Sequence, residues 1–284
     1  MNWTLGINQW AMPGLDVRAA SALAKRAGFE AIELNLDEDG ELGLGASDAD
    51  AQSLGRTVGD VGLRVGGLAT GLYWRHSPTS DDVVTRRKAS DIAKRQLTLA
   101  HALGAGAILV VPGGVGAPMG GPLVRYDVAY ERAQEFVAAL APEAESAGVD
   151  LAVENMWNKL LLSPLEMRQF VDGAASERVG VYFDVGNVLL YGYPEHWIDI
   201  LGPRIRRVHL KDFRRAVGTL DGFVDIGAGD VDWEAVGGAL RRAGYDGPLT
   251  AEMFPTAQDR SDIEAYVMRI GQQVARAVQK MKRE

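Results

Sequence analysis

Four polar residues with metal-binding side chains each lie inside a short apolar segment of the sequence. They are three carboxylates and one imidazole, in consecutive segments of the chain: Glu154, Asp184, His209 and Glu252. The flanking residues are mostly apolar, as expected of a β-strand with one face against helices. The polar residue then points to the other face, near the C-terminal end of its strand. This pattern predicts one site to which four strands contribute.

Such a ligand set suits a hard divalent cation. Carboxylate oxygens with one imidazole nitrogen favour Mn²⁺, and Mg²⁺, Co²⁺ or Zn²⁺ are the alternatives. The ion would act as a Lewis acid that polarises a carbonyl and stabilises an enediolate after proton removal. Glu154 and Glu252 come from strands separated by two others, so we expect them to flank a substrate on opposite faces. We predict that they are the catalytic acid and base.

Six further residues are candidates for substrate binding. Lys211 lies near the end of the seventh strand, in the lumen-facing phase of His209, and Arg214 follows that strand; both are suited to a hydroxyl or a phosphate group. Glu33 stands between two apolar neighbours, so it should face the lumen and accept a hydrogen bond from a sugar hydroxyl. Trp74 is placed to cover a sugar face. The complete set is Asn8, Glu33, Trp74, Asn187, Lys211 and Arg214.

A purely structural explanation exists for each of these residues. A buried Glu in a strand can simply pair with an Arg, and Arg207 shares the His209 face of its strand. Lysines and asparagines at strand ends are commonly solvated or turn the backbone. For four metal-binding residue types at matching strand ends, however, this explanation needs four coincidences. We therefore favour a functional site, although carboxylate clusters also occur in structural networks.

Strand-like and helix-like segments alternate along the whole chain and would position these residues. The strand candidates are residues 4–10, 31–36, 64–70, 107–112, 150–156, 179–187, 205–213 and 248–253. The helix candidates are residues 17–27, 48–61, 82–103, 127–147, 164–174, 194–201, 232–243 and 259–282. Eight such units predict an α/β fold, a (β/α)₈ TIM barrel forming a single domain over residues 1–284. A doubly wound sheet is the alternative, but no Gly-rich dinucleotide turn follows the first strand.

In a barrel of this kind the reacting groups lie on the loops after the strands. The loops at residues 71–80 and 113–122 are long enough to serve as lids. The connections at the other end are short turns. This asymmetry favours chemistry on one rim.

Bulk composition excludes several classes of protein. A net charge of −8 argues against a nucleic-acid partner, which relies on clustered Lys and Arg. Without cysteine, neither disulfides nor thiolate metal sites are available. The N-terminus has no signal-peptide pattern, and no apolar run is long enough to cross a membrane. We expect a cytoplasmic protein acting on a small molecule; the sequence leaves its assembly open, with a homodimer as the state to consider.

Four stretches resemble the sugar phosphate isomerase/epimerase family of xylose isomerase-like TIM barrels. They are Val-Glu-Asn-Met-Trp at 153–157, Phe-Asp-Val-Gly-Asn at 183–187, Val-His-Leu-Lys-Asp-Phe at 208–213 and Leu-Thr-Ala-Glu-Met at 249–253. Relatives in that group include D-tagatose 3-epimerase, L-ribulose-5-phosphate 3-epimerase and inosose dehydratase. The resemblance covers essentially the whole chain and is more specific for the superfamily than for a substrate.

The resemblance to ketose 3-epimerases implies that the four residues bind Mn²⁺ or a similar ion. It also implies that Glu154 and Glu252 exchange the C3 proton on opposite faces of a cis-enediolate. The chain departs from those epimerases at two places. They usually carry a second His shortly after the strand-six Asp, where this chain has Gly186 and Asn187, and they lack the Lys211-Asp212 pair.

These observations favour a divalent-metal-dependent epimerase or isomerase of a ketose or ketose phosphate. The first alternative is a metal-dependent dehydratase similar to inosose dehydratase, with Lys211 or His76 protonating the leaving hydroxide. A DNA-repair nuclease is disfavoured. The related enzymes bind three zinc ions through many histidines, whereas this chain has only four histidines. A non-catalytic barrel is disfavoured by the energetic cost of clustered negative charge without a cation.

Overall fold

Eight parallel strands close into a barrel in the computed structural model, which describes residues 3–116 and 123–283. The strands are β1 (Leu5–Asn8), β2 (Ala31–Asn35), β3 (Arg64–Ala69), β4 (Ala107–Val110), β5 (Asp150–Glu154), β6 (Val179–Asp184), β7 (Ile205–Leu210) and β8 (Leu249–Ala251). Each strand pairs with its sequence neighbours, and β1 pairs with β8 to close the ring. The predicted single-domain (β/α)₈ TIM barrel is confirmed, whereas the outer bounds of the domain stay a prediction.

Eight α-helices in the described residues surround the barrel. They are α1 (Val17–Arg26), α2 (Asp48–Asp60), α3 (Val83–Leu103), α4 (Tyr126–Ala147), α5 (Pro164–Asp172), α6 (Pro194–Leu201), α7 (Trp233–Arg242) and α8 (Ile263–Met281). Several begin at side chains that accept a hydrogen bond from the first turn, such as Asp16 and Ser47. Gly104, with φ 78°, ends α3 in the left-handed conformation that glycine adopts without strain.

The register of the parallel strands sets the height of each polar side chain in the lumen. Glu154 lies beside Tyr182, and Asp184 lies beside His209. His209 in turn pairs with Thr250 of β8, and Glu252 follows two residues later, just after the strand. Because side chains alternate between the two faces of a strand, this register brings the four predicted ligands to the same rim.

The strands are shorter than the sequence predicts at the functional rim. Residues Asn187–Leu190 form a 3₁₀ turn after β6, and β7 ends at Leu210. Asp212–Phe213 leaves the barrel and pairs antiparallel with Phe223–Val224. The carboxylate of Asp212 explains this departure, because it accepts backbone N–H groups from the following loop. The donors are Phe213, Gly227, Gly229 and Val231.

The two loops predicted as lids are described to different extents. The first contains a 3₁₀ turn at Leu72–Trp74. Of the second, residues 117–122 lie outside the described residues. Among the helices that the structure describes, none combines the length and the apolar character that a bilayer-spanning segment needs.

Candidate metal centre and active site

The four predicted ligands converge at the C-terminal rim of strands β5 to β8. One ligand atom from each lies within 4.8 Å of those of the others. We call this group the acidic centre: Glu154, Asp184, His209 and Glu252. All four side chains are buried, with at most 4% of any residue exposed. Each side chain leaves its strand, or the residue just after it, toward the barrel axis, so the strand alternation predicted from sequence is what brings them together.

The imidazole of His209 has a fixed orientation. Its Nε2 lies 2.8 Å from Oε2 of Glu33, and its Nδ1 faces the acidic centre. Nδ1 lies 3.4 Å from Oε1 of Glu154 and 3.1 Å from Oε2 of Glu252. An ionised carboxylate only accepts hydrogen bonds, so Nε2 must donate to Glu33. In the neutral ring, the Nδ1 lone pair is then directed at the centre.

The acidic centre contains a set of buried polar atoms that make no hydrogen bond of good geometry. These are Oε1 of Glu154, Oδ2 of Asp184, Nδ1 of His209 and Oε2 of Glu252. One such atom comes from each of the four residues, and all of them face one point. Buried polar atoms are almost always hydrogen-bonded in folded proteins, and a shared cation would satisfy four such atoms that face one point.

Lys211 supplies the nearest positive charge. Its Nζ lies 3.0 Å from Oδ2 of Asp184 and also contacts Oε2 of Glu252. The ammonium additionally lies 5.8 Å from the centroid of the Phe223 ring. Four buried carboxylates, those of the centre and Glu33, therefore face one ammonium group and one imidazole. A divalent cation would bring this buried group close to neutrality.

Burial and the charges around the acidic centre shift the pKa values of its two glutamates in opposite directions. Burial and the neighbouring Glu252 raise the pKa of Glu154 from 4.5 to about 7. Burial also acts to raise the pKa of Glu252, but Lys211 and His209 outweigh it and hold this pKa at about 2. Burial raises the pKa of Asp184 despite the opposing Lys211. Burial lowers the pKa of His209, but the carboxylates around it raise that pKa well above its usual range.

Two asparagines fasten the ends of β5 and β6 around Asp184. Asn155 donates through Nδ2 to the Asp184 carbonyl and accepts from the Asp184 N–H, both at 2.8 Å. The N–H of Asn187 donates to Oδ1 of Asp184, and its side chain donates to the Asn155 carbonyl. This leaves Oδ2 of Asp184 directed at the centre. Asn187 lines the cavity, but its amide nitrogen is committed to the backbone.

A cavity of about 880 Å³ opens above the acidic centre. Glu154, Glu252 and Lys211 form its floor. Its walls are largely aromatic, with the rings of Trp10, Trp74, Trp157, Phe223 and Phe254. Trp10 stacks on Phe254 with the ring centroids 5.6 Å apart. This volume accommodates a sugar with space to spare, since ligand pockets commonly measure 300–1,000 Å³.

The residues predicted to bind substrate fall into two groups. Trp74, Asn187, Lys211 and Arg214 line the cavity, and Arg214 is exposed at its mouth. Asn8 and Glu33 do not line it and are fully buried behind His209. Asn8 donates to Oε2 of Glu33 at 2.5 Å. We revise the prediction for these two residues, because their polar atoms face each other and His209 rather than the cavity.

The structure also shows contacts that the sequence reasoning missed. The hydroxyl of Tyr182 donates to Oε1 of Glu33 beneath the centre. Tyr182 occupies the lumen-facing phase two residues before Asp184, and this spacing was a usable signal. Arg207, considered as a partner for a strand glutamate, instead donates to the carbonyls of Gly66 and Arg206.

The donor set and its orientation fit a divalent metal ion. Three carboxylates and one imidazole nitrogen present to one point the buried atoms that lack a hydrogen bond of good geometry, and the ring is held by a carboxylate behind it. Carboxylate backing of a ligating histidine is a common feature of metal sites. The same donor set does not distinguish Mn²⁺ from Mg²⁺, Co²⁺ or Zn²⁺.

Comparison with known proteins agrees with this description. Residues 21–271 match the family model described as xylose isomerase-like TIM barrel. The chain is 30% identical over 268 residues to "Putative L-ribulose-5-phosphate 3-epimerase SgbU" of Escherichia coli K12, covering 89% of each chain. It is 28% identical over 268 residues to L-ribulose-5-phosphate 3-epimerase UlaE of Escherichia coli O157:H7, covering 90% of this chain and 89% of the relative.

A solved structure shares the fold over nearly its full length. D-psicose 3-epimerase, crystallised in the presence of D-fructose, superposes with a TM-score of 0.82 at 19% identity. The match covers 98% of this chain and 99% of that one. The family match spans most of the sequence, and the fold agrees with it. This chain belongs to the xylose isomerase-like TIM barrel family.

Proposed function

We propose that this protein is a divalent-metal-dependent 3-epimerase of a ketose or ketose phosphate. The observation that carries the proposal is the acidic centre, where one buried ligand atom from each of four residues faces the same point at the floor of the cavity. The relatives named as L-ribulose-5-phosphate 3-epimerases make ketopentose phosphates the first substrates to test.

Glu154, Asp184, His209 and Glu252 would hold the ion. When bound, a divalent cation supplies Lewis acidity that makes the C3 proton of a ketose more acidic and stabilises the enediolate. Mn²⁺ is the ion that we favour for this donor set, with Mg²⁺, Co²⁺ and Zn²⁺ as alternatives.

Glu154 and Glu252 would move the proton. They come from β5 and β8, which are separated by β6 and β7, so their carboxylates approach the substrate from different sides. One carboxylate takes the C3 proton, and the C2–C3 electron pair is held as a cis-enediolate. The other, in its protonated form, donates a proton to the opposite face of C3. The configuration inverts, and the two glutamates exchange protonation states before the next turnover.

Lys211 would hold a substrate oxygen at the floor of the cavity. Its Nζ lies in contact with two ligands of the centre, Asp184 and Glu252. It is therefore placed beside the reacting carbons rather than at the cavity mouth. The aromatic walls, including Trp74, would pack against the apolar C–H groups of the sugar. They would also reduce access of water to the enediolate.

The direct test is a substrate panel on protein stripped with EDTA and reloaded with Mn²⁺. The panel contains L-ribulose 5-phosphate, free L-ribulose, D-psicose, D-fructose and D-tagatose, and products are separated by chiral sugar chromatography. We expect inversion at C3 of one substrate group and, in D₂O, one deuterium at C3 of the product. The stripped protein should regain activity only with a divalent ion.

Two results would overturn the proposal. Loss of water from the substrate, detected as an absorbing enone or diketone, would assign the dehydratase alternative. Full turnover by the stripped protein in the presence of excess chelator would remove the metal from the reaction.

A further inference from the structure

Glu33 of β2 reaches across the lumen to His209 of β7, 176 residues further along the chain. We propose that Glu33 is a positioning residue that fixes the tautomer and ring orientation of His209 for metal binding. This inference rests on the proposed function, because it assumes that His209 is a metal ligand. It assigns Glu33 a role in forming the centre rather than in touching the substrate.

Three hydrogen bonds from protein groups hold the Glu33 carboxylate. Oε2 accepts from Nε2 of His209 at 2.8 Å and from Nδ2 of Asn8 at 2.5 Å. Oε1 accepts from the hydroxyl of Tyr182. All four side chains of this network are fully buried. The carboxylate is therefore held on both oxygens, and its position is not adjustable by solvent.

The position of the carboxylate determines which imidazole nitrogen is available. Because Oε2 of Glu33 only accepts, Nε2 of His209 carries the proton. The lone pair of the neutral ring is then on Nδ1, which lies among the oxygens of Glu154 and Glu252. Without Glu33 the ring would have no fixed tautomer and could rotate. In metal proteins, loss of such a backing carboxylate typically lowers metal affinity 10- to 100-fold.

The barrel makes room for this network at Gly67 of β3. A Cβ atom at Gly67 would lie 3.0 Å from the hydroxyl of Tyr182 and 3.1 Å from Oε1 of Glu33. Both distances are shorter than ordinary van der Waals contact. The absence of a side chain at Gly67 thus leaves room on β3 for the Glu33 carboxylate and the Tyr182 hydroxyl. A glutamate that merely filled space would not require this room.

The experiment measures Mn²⁺ binding by isothermal titration calorimetry on metal-free protein. We expect Glu33→Gln to raise the Kd for Mn²⁺ by roughly 10- to 100-fold. Glu30→Gln, the same substitution at an exposed residue just before β2, is the matched control and should leave Kd unchanged within about twofold. Melting curves establish that each variant is folded. If Glu33→Gln does not fold, Glu33→Asp, which keeps the charge but shortens the reach, gives the same test.

A spectroscopic readout distinguishes positioning from general destabilisation. The chain has four histidines, so ¹⁵N-labelled imidazoles can be resolved individually by NMR. In the Zn²⁺-loaded wild type we expect one slowly exchanging Nε2–H, shifted by its carboxylate acceptor. In Glu33→Gln this signal should move or broaden, whereas in Glu30→Gln it should not.

The outcomes separate this inference from the proposed function. If the wild type itself fails to bind Mn²⁺, the metal-dependent function is wrong and this inference is wrong with it. If the wild type binds and Glu33→Gln binds equally well with an unchanged imidazole signal, the positioning role alone is overturned. Weaker binding with an altered signal supports it.

Discussion

The two halves of the barrel contribute different chemistry to one cavity. Strands β5 to β8 carry the acidic centre. Strand β4, the residue after it and the loops after β1 and β3 contribute apolar wall, including Leu109, Val111, Trp10 and Trp74. The first half also sends Glu33 across the lumen to His209. One half therefore carries the residues that we propose to react, and the other carries apolar wall and a carboxylate that contacts one of them.

Substitutions in the two halves of the barrel should have different effects. In the second half a buried charge has a neighbouring charge within hydrogen-bonding distance, as Lys211 does with Asp184. Removing one partner there leaves another uncompensated in a buried environment. In the first half most side chains that face the cavity are apolar, so substitutions there should alter substrate fit more than they alter the chemistry.

The largest effect should come from the two glutamates of the second half. Glu154→Gln and Glu252→Gln each remove one proton carrier while nearly preserving side-chain shape. We expect kcat to fall about 10²- to 10⁴-fold in each case, the usual contribution of a positioned acid or base. The measurement is turnover of the substrate identified by the panel, with Mn²⁺ supplied well above the Kd of each variant.

Solvent exchange at C3 sharpens this test. Each variant should still exchange deuterium into at most one epimer, because one face of the substrate keeps its carboxylate. Glu234→Gln, at the exposed start of α7, is the control for the substitution itself. Near-wild-type turnover in either active-site variant would contradict the assignment of these residues to proton transfer.

The second effect concerns Lys211 and the metal-free protein. Lys211→Met keeps the unbranched side chain as far as Cε and removes the ammonium that contacts Asp184 and Glu252. Leaving buried carboxylates without their cation should lower the free energy of unfolding by about 3 kcal/mol. Because the ammonium and the metal compete for the same oxygens, we expect saturating Mn²⁺ to restore most of this loss.

Urea denaturation of both proteins, with EDTA and with Mn²⁺, measures the effect of Lys211→Met. A loss of stability that persists unchanged with Mn²⁺ would show that the ammonium and the ion do not share these carboxylates. A second Lys→Met change, at the exposed Lys282, supplies the comparison for a lysine outside the site.

The fold and the four residues of the acidic centre could be predicted from the sequence because both depend on local spacing. Alternating apolar residues around Glu154 or His209 indicate a strand face whatever the partner strand is. Helix starts such as Asp16 are likewise local signals. Few folds contain eight repeats of a strand followed by a helix, and the sequence therefore predicts a TIM barrel.

The contacts between distant strands could not be read in this way. The lumen-facing phase of Glu33 was predictable, but its partner depends on the register around the closed ring. That register contains irregularities, for example between Ile32 and Glu33 and between Val181 and Tyr182. A shift of one residue exchanges the faces of a strand, so no sequence pattern fixes which side chain meets His209. The end of β7 was also predicted wrongly. Asp212 accepts a hydrogen bond from the N–H of Gly227, 15 residues further along the chain, and a local pattern does not indicate such a contact.

The third effect is a pH dependence that only the metal-free centre should show. The pKa of Glu154 is raised to about 7, so the folded protein binds a proton between pH 4.5 and 7 that the unfolded chain has released. This contribution to stability is present at low pH and is lost as the pH rises through that window. The slope is at most about 1.4 kcal/mol per pH unit for one proton.

Comparing wild type with Glu154→Gln separates the contribution of Glu154 to stability from the contributions of the other titrating groups. The difference in unfolding free energy between the two proteins should change between pH 5 and 7.5 in EDTA. Saturating Mn²⁺ should abolish that change, because a bound cation lowers the pKa of a ligating carboxylate below this pH range in the substrate-free protein. A difference that is constant with pH in EDTA would contradict the raised pKa.

The smallest effect lies at the mouth of the cavity and decides between the two substrate classes. Arg214 is exposed there, and its Nε donates to the carbonyl of Ala228 at 3.2 Å, which leaves its terminal nitrogens to reach a ligand. If the substrate carries a phosphate, Arg214→Ala should raise KM about tenfold, near 1.4 kcal/mol of lost charge-assisted binding, with kcat little changed. For a free ketose the same variant should leave KM within about twofold. Arg56→Ala, at an exposed position of α2, is the matched control. A drop in kcat without a change in KM would place Arg214 in the chemistry of the second half, contrary to its position at the mouth.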